Sequence, residues 1–359
     1  MDNITTIAEL SHEFGGPEYV LGGGGNTSVK DETTLWVKPS GVTLLDIRPE
    51  DFVALDRAGL AKLFAIEPPV DPEAREARVK EMVMAARRSG AERRPSVEAP
   101  LHNVFPQRYV VHTHPALVNG LACAIHGAEA CSRLFPEALW LPYCDPGFTL
   151  SREARRAIGD YTERWGVAPG VLIIENHGVF VAGESAEDIR AAYRQLIETL
   201  RAEYRAAGLE CDLPPTPPPD RETDERMRQR LRTILSADEV SHVASSGPFP
   251  PPRGPLTPDH VVYARAFVHV GPISARSVAA FRRQHGYGPR VFFDPAGVWA
   301  VGATEKEAQM ALAFARDGAR VQYLAAAFGG PKYLGDRSRA FIEGWEVEHY
   351  RRQVSLGAG

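Results

Sequence analysis

The sequence predicts a mixed α/β protein in two parts. Three observations carry this reading. Helical and β-like patterns alternate through the first part, the proline-rich stretch Leu213-Pro-Pro-Thr-Pro-Pro-Pro219 interrupts the chain, and a strand, turn, strand, helix pattern from the first part recurs in the second. A length of 359 residues also favours two domains over one.

Apolar spacing predicts a helix over 5–14, followed by the run Gly22-Gly-Gly-Gly-Asn-Thr-Ser28 and β-like segments over 28–30 and 34–38. The β-rich run Tyr109-Val-Val-His-Thr-His-Pro115 comes next, then a helix over 116–125, a strand over 138–143 and a helix over 152–165. Strands over 171–174 and 179–182 lead into a long helix over 185–207. Prolines 214–219 cannot continue that helix or join a central strand, so they read as a stiff linker. The division is therefore a first domain over 1–212, a linker over 213–222 and a second domain over 223–359. Within the latter, Pro248-Phe-Pro-Pro-Pro-Arg-Gly-Pro255 predicts an extended surface crossing.

The recurring pattern aligns Val171-Leu-Ile-Ile-Glu-Asn-His-Gly-Val-Phe-Val-Ala-Gly183 with Val291-Phe-Phe-Asp-Pro-Ala-Gly-Val-Trp-Ala-Val-Gly302, allowing one residue of slippage at the start. Each then offers a helix N-cap, Ser185 or Thr304, with acidic residues in the first turn. His177 becomes Ala296 in the second copy, and no His-x-His precedes it, although His260 and His269 sit near β-like runs. Two readings remain open: a duplication that keeps the frame without its ligands, or two ordinary βαβ-type segments.

Chemistry concentrates on three histidines. In a strand, residues i and i+2 share a face, so His112 and His114 project together while Thr113 turns away. Strand ends converging on one point would bring His177, in Glu175-Asn-His-Gly178, against the pair. Three neutral imidazoles with an open fourth position describe a catalytic zinc site; the plainer alternative is a chance His-x-His and a histidine capping a turn. The glycine run likewise fits either an anion cradle of main-chain N–H groups or a tight connection, and Lys38-Pro-Ser-Gly-Val42 is a second polar turn of the same ambiguity. Neither is a Walker loop, and no Gly-x-Gly-x-x-Gly follows a strand, so nucleotide binding is not indicated.

Composition narrows the partners. The formal charge is −5, with no basic run suited to nucleic acid or an anionic membrane, leaving small molecules or further copies of the chain. No apolar run approaches about 18 residues and the start lacks a signal-peptide core, so a cytoplasmic protein is expected. Cys123, Cys131, Cys144 and Cys211 show no Cys-x-x-Cys spacing and suit a reducing compartment.

Taken in order, Gly25-Asn-Thr-Ser28, Pro39-Ser-Gly41, Pro95-Ser-Val-Glu98 with His102, His112-Thr-His-Pro115, Leu141-Pro-Tyr143 and Asn176-His-Gly178 resemble the class II aldolase/adducin family over residues 10–204. The whole chain is similar to the aldolase portion of the larger bifunctional rhamnulose-phosphate aldolase/alcohol dehydrogenase proteins, with the dehydrogenase portion absent. The resemblance implies a three-layer fold with a central, mainly antiparallel sheet flanked by helices, followed by a smaller related α/β domain. It implies one Zn²⁺ per chain held by His112, His114 and His177, with manganese or cobalt as alternatives. Glu98 matches the acidic residue that shuttles a proton, and Tyr143 a tyrosine reaching the site from a neighbouring subunit of a homo-oligomer. Asn26, Thr27, Ser40, Gly41 and Ser96 match the phosphate-holding positions. Two positions depart from the pattern: Val97 stands where a second serine is common, and Gly147-Phe148 where Gly-Thr is.

The reaction so implied is aldol cleavage or formation in a ketose phosphate. Breaking a C–C bond beside a ketone leaves an enediolate, whose charge a divalent cation can hold. The same chemistry supports epimerisation, dehydration and decarboxylation of sugar-derived substrates. A non-catalytic, adducin-like scaffold is the alternative from another class, although it would have no need of three histidines and Glu98.

Overall fold

The computed structural model describes residues 2–344 except 68, 89–92 and 238; the end of the second predicted domain, 345–359, lies outside them. The chain forms two compact units, one of residues 2–122 and His126–Glu203, the other of Cys123–Ile125 and Tyr204–Gly344.

The first unit is built on a seven-stranded sheet. Its strands are β1 (Asn26–Lys30), β2 (Thr34–Val37), β3 (Val53–Asp56), β4 (Tyr109–Thr113), β5 (Leu139–Leu141), β6 (Val171–Ile174) and β7 (Gly178–Gly183). They lie in the order β3-β2-β1-β4-β7-β6-β5. Every neighbouring pair is antiparallel except β5 with β6. This is the mainly antiparallel sheet that the resemblance implies.

Helices cover both faces because both faces are apolar. On one, helices Ala99–Val104 and Phe148–Trp165 supply Leu101, Leu150, Ala154 and Ile158 to a core shared with Val110, Leu172, Ile174 and Phe180. On the other, Tyr193 of helix Ala186–Ala206 bonds to the Thr113 hydroxyl at 2.7 Å and to the Val111 carbonyl at 3.3 Å. Ser11 of helix Asn3–Glu13 meets Thr27 there at 2.7 Å. A third cluster joins β2 and β3 to helix Pro72–Ala85 through Leu35, Leu55, Val79 and Val83.

The second unit holds β8 (His242–Ser246), β9 (His269–Val270), β10 (Val291–Asp294) and β11 (Gly297–Gly302), in the order β8-β11-β10-β9. β9 pairs parallel with β10, and the other two pairings are antiparallel. The same order of pairings runs through β5, β6, β7 and β4 of the first unit. Thr304 caps helix Glu305–Leu324 by accepting from the Glu307 N–H at 3.1 Å, as its sequence position predicts.

Several local expectations change. The helix predicted over 152–165 starts at Phe148, directly after Gly147 at φ 96°, and the strand predicted over 138–143 shortens to Leu139–Leu141. Strand β3 and helices Pro72–Ala85, Ala99–Val104 and Gly127–Leu134 were not anticipated. His260 lies in helix Pro258–Ala264 and not beside a strand, because Thr257-Pro258 is a helix start: Thr257 accepts from the His260 N–H, and proline needs no donor at the first position. The run over 248–255 is irregular as expected, yet Phe249 is buried edge-on to Phe293. Prolines 214–219 have no regular structure, and Arg320 and Arg316 bond to the carbonyls of Cys211 and Leu213 just before them.

Leu172 of β6, fully buried in the core beneath helix Phe148–Trp165, should be costly to truncate. Leu172→Ala is expected to destabilise the protein by about 2–5 kcal/mol, read as a lowered urea midpoint; a change under about 1 kcal/mol would show that this core collapses around the gap.

Candidate metal and proton-transfer site

Strand β4 runs between β1 and β7, with His112 opposite Asn26 on one side and Phe180 on the other. That close approach explains Gly25: at φ 66°, a Cβ there would meet the His112 carbonyl oxygen at 2.8 Å. The tight connection is thus a demand of strand pairing. His112 stacks on Phe180 with centroids 3.9 Å apart and rings nearly parallel. His114, just past the strand end, places its Nε2 2.9 Å from His112 Nε2, while Thr113 points to the opposite face.

The third imidazole comes from the turn between β6 and β7. Asn176 adopts the left-handed conformation, φ 53°, a region asparagine tolerates better than most residues, and its N–H bonds to the Ala122 carbonyl. His177 follows. Gly178 is required next, because a Cβ would lie 2.5 Å from His114 Cδ2 and 2.6 Å from the Thr113 carbonyl oxygen. One ring nitrogen from each of His112, His114 and His177 falls within 4.8 Å of the others.

This donor set fits a divalent cation. His112 Nδ1 lies 2.9 Å from the Val179 carbonyl oxygen, which can only accept, so the ring proton sits on Nδ1 and Nε2 presents a lone pair to the cluster. Burial pushes the pKa of His112 well below its ordinary value, keeping the ring neutral, the form that ligates. His177 Nδ1 is buried with no hydrogen-bond partner among the described residues.

Glu98 completes the cluster from directly before helix Ala99–Val104. Its carboxylate lies 3.5 Å from His112 Nε2 and 3.4 Å from His177 Nε2, and accepts from Asn26 Nδ2 at 2.5 Å. Burial raises its pKa, but His112, His177 and the Asn26 amide outweigh that and hold the group well below the usual carboxylate range.

The remaining predicted residues divide. Asn26 is spent on Glu98 and on His102. The Thr27 hydroxyl faces Ser11 across the other side of β1. Ser40 and Gly41 lie on a loop joined to the Pro95–Glu98 segment: Ser40 N–H bonds to the Arg94 carbonyl, Ser96 N–H to the Lys38 carbonyl, and the Ser96 hydroxyl accepts from the Glu98 N–H at 3.3 Å. Tyr143 follows β5, its N–H held by Glu175 at 3.0 Å and its hydroxyl donating to Asp145 at 3.4 Å. Sequence reasoning missed Phe180 as the stacking partner and Glu175 as the brace of Tyr143. The position of Glu175 in the Glu-Asn-His-Gly turn was the available signal.

Register transfers the three histidines to the second unit. Ser245 faces Trp299 as His112 faces Phe180, so the corresponding positions are Ser245, Gly247 and Ala296. None offers an imidazole. On that sheet, Ser245 accepts from Arg228 at 3.3 Å, Arg228 pairs with Asp224 at 2.7 Å, and the Trp299 indole donates to Asp224 at 2.8 Å.

Comparison with known proteins gives the following. The family profile described as the Class II Aldolase and Adducin N-terminal domain matches residues 5–204. A Bacillus subtilis (strain 168) protein described as the uncharacterized oxidoreductase YuxG is 28% identical over 175 residues, 46% of this chain and 24% of that protein. The chain thus spans about a quarter of that relative's length. The methylthioribulose-1-phosphate dehydratase of Bos taurus is 27% identical over 191 residues, 50% of this chain and 74% of that enzyme. Among solved structures, the N-terminal class II aldolase domain of a conserved protein from Thermoplasma acidophilum superposes with a TM-score of 0.48 at 23% identity, covering 56% of this chain and 93% of that one.

Elemental analysis of the purified protein should find about one divalent cation per chain, lost in His112→Ala and reduced in Gly178→Ala; equal metal content in all three would remove the histidines from the site. A second expectation concerns His102, whose pKa burial lowers from 6.5 to about 3. Between those values the unfolded chain takes up a proton that the folded chain refuses, so stability falls with pH by up to about 1.4 kcal/mol per unit. The non-titrating His102→Gln should show a shallower loss between pH 6.5 and about 5 in urea titrations; identical slopes would show that His102 is not held neutral.

Proposed function

Because the chain belongs to the class II aldolase and adducin family, whose profile spans residues 5–204, we propose that it is a zinc-dependent aldolase that cleaves or forms a C–C bond in a ketose phosphate. The observation that supports this most directly is the Glu98 carboxylate, buried and set against both His112 and His177 within 3.5 Å. A scaffold has no use for a carboxylate so placed.

His112, His114 and His177 would hold the cation, which when bound supplies positive charge beside the substrate oxygens on which negative charge develops. Glu98 moves the proton at the substrate carbon that gains electrons as the C–C bond breaks. Held by Asn26 on Oε2, it keeps Oε1 for that exchange. Tyr143 assists at the hydroxyl that becomes the aldehyde. Ser40, Gly41 and Ser96, on adjoining loops, hold the phosphate, with Asn26 and Thr27 shaping the strand behind them.

We assign the second unit as a metal-free copy of the first, on the shared pairing order and the replacement of all three histidines. The protein is expected to act in the cytoplasm as a homo-oligomer in which Tyr143 serves a neighbouring site. A second reading, dehydration of a ketose phosphate, is favoured by the name of the Bos taurus relative and would use the same residues.

A panel of ketose 1-phosphates assayed for both aldehyde release and loss of water separates the two readings. Glu98→Gln should keep its metal and lose turnover by about 10²–10⁴-fold. Full turnover in that variant would overturn the assignment of Glu98, and an apo protein that stays fully folded and inert to every substrate would favour the scaffold.

A further inference from the structure

His102 was singled out by its place in the sequence and plays no part in the mechanism above, yet it is fully buried and bonded at both ring nitrogens. Two local periodicities bring it there. Asn26 and Ser28, two apart on β1, share a face of the sheet; Glu98 and His102, four apart, share a face of one helical turn closed by the His102 N–H to Glu98 carbonyl bond. Together they form one chain of side chains, Glu98 to Asn26 to His102 to Ser28, with links of 2.5 Å at the Glu98 end and 2.7 Å at the Ser28 end.

Only one arrangement of protons satisfies that chain when His102 is neutral. An ionised Glu98 can only accept, so the Asn26 amide must turn its NH₂ toward it. Asn26 Oδ1 then faces His102 Nε2 and needs a donor there. The ring proton therefore sits on Nε2, and the bare Nδ1 takes the hydroxyl proton of Ser28. A reversed amide would set its oxygen against the carboxylate and take the Asn26 donor away from Glu98 Oε2.

We propose that His102, fixed in its Nε2–H tautomer by Ser28, is a positioning residue that locks the Asn26 amide so that it grips Glu98 Oε2 and leaves Oε1 turned toward His177. The inference rests on the reading of Glu98 as the proton-transfer group.

Glutamine and asparagine discriminate this role from simple filling of space. The amide nitrogen of Gln reaches about where His Nε2 stands and can donate to Asn26; that of Asn reaches only the Nδ1 position. His102→Gln should therefore recover most of the ketose-phosphate turnover, while His102→Asn loses about 10–100-fold, the usual cost of removing a partner behind a metal site. Metal content and melting temperature should stay alike in the two. ¹⁵N NMR of the histidine rings, read on the whole protein without substrate, should show His102 protonated at Nε2 and bare at Nδ1, and Ser28→Ala should mix the tautomers. The proposal is overturned if the Gln and Asn variants lose turnover equally, if activity follows melting temperature, or if the ring proton sits on Nδ1. Full turnover in Glu98→Gln would overturn the reading of Glu98 instead, and the tautomer would still decide the amide lock.

Discussion

His112 is paired on both sides, with Asn26 across β1 and Phe180 across β7, and this double registration is the constraint on which the site depends. Side chains alternate along a strand, so slipping β4 by one residue against either neighbour would send His112 to the face of Tyr193 and bring Val111 or Thr113 to the cluster. Apolar residues enforce the register from both faces: Val110 and Phe180 pack under helix Phe148–Trp165, while the Thr113 hydroxyl meets Tyr193 on the other side. The glycines follow from it too, since β1 and the β6–β7 turn come so near to β4 that Gly25 and Gly178 have no room for a Cβ.

The register places three imidazoles beside one buried carboxylate, a charge distribution with a clear need. A lone buried carboxylate costs several kcal/mol unless paired. Here the Asn26 amide hydrogen bond offsets part of that, and a divalent cation on the ring nitrogens would offset the rest. Holding Glu98 ionised while keeping it off full coordination is what a proton shuttle requires, because a carboxylate committed wholly to metal is a poor base. On the role proposed for Glu98, the Asn26 bond to one oxygen divides the two oxygens of the same group in this way.

How much of this was legible beforehand depends on range. Patterns within one element read well: the strand Val171–Ile174 was placed to the residue, the Thr304 cap was identified, and the strand period alone put His112 and His114 on one face. Elements lacking a clear period were lost. Helix Pro72–Ala85 is rich in charge and buries only Glu76, Val79 and Val83, and helix Ala99–Val104 is too short for periodicity to show. His260 was misplaced because Val261, Val262 and Tyr263 have strand-like side chains, whereas the Thr257-Pro258 start decided for helix. The links of the site were beyond any local rule, since Asn26 meets Glu98 across 72 positions; only the ordered motifs hinted that those segments belong together.

The second unit shows that the frame and the histidine cluster are separable. Its strands keep the pairing order of β4, β7, β6 and β5, and the glycines that open and close β11 match those of β7. What differs is how the polar groups on the ligand-bearing face are satisfied. Asp224 is ionised below its usual range: burial raises its pKa, but bonds from Arg228, Trp299 and Ser245 outweigh this. The charge is balanced inside the unit by an arginine on the same helix. Where the first unit gathers ring nitrogens round a shared centre, the second closes an ion pair against the sheet, and among the described residues it gathers no such donor set. Selection for stability alone would favour the second arrangement, since a covalently attached arginine cannot dissociate. That the first unit keeps three imidazoles and an unbalanced carboxylate is therefore the strongest structural argument that its cluster exists for chemistry and not for folding.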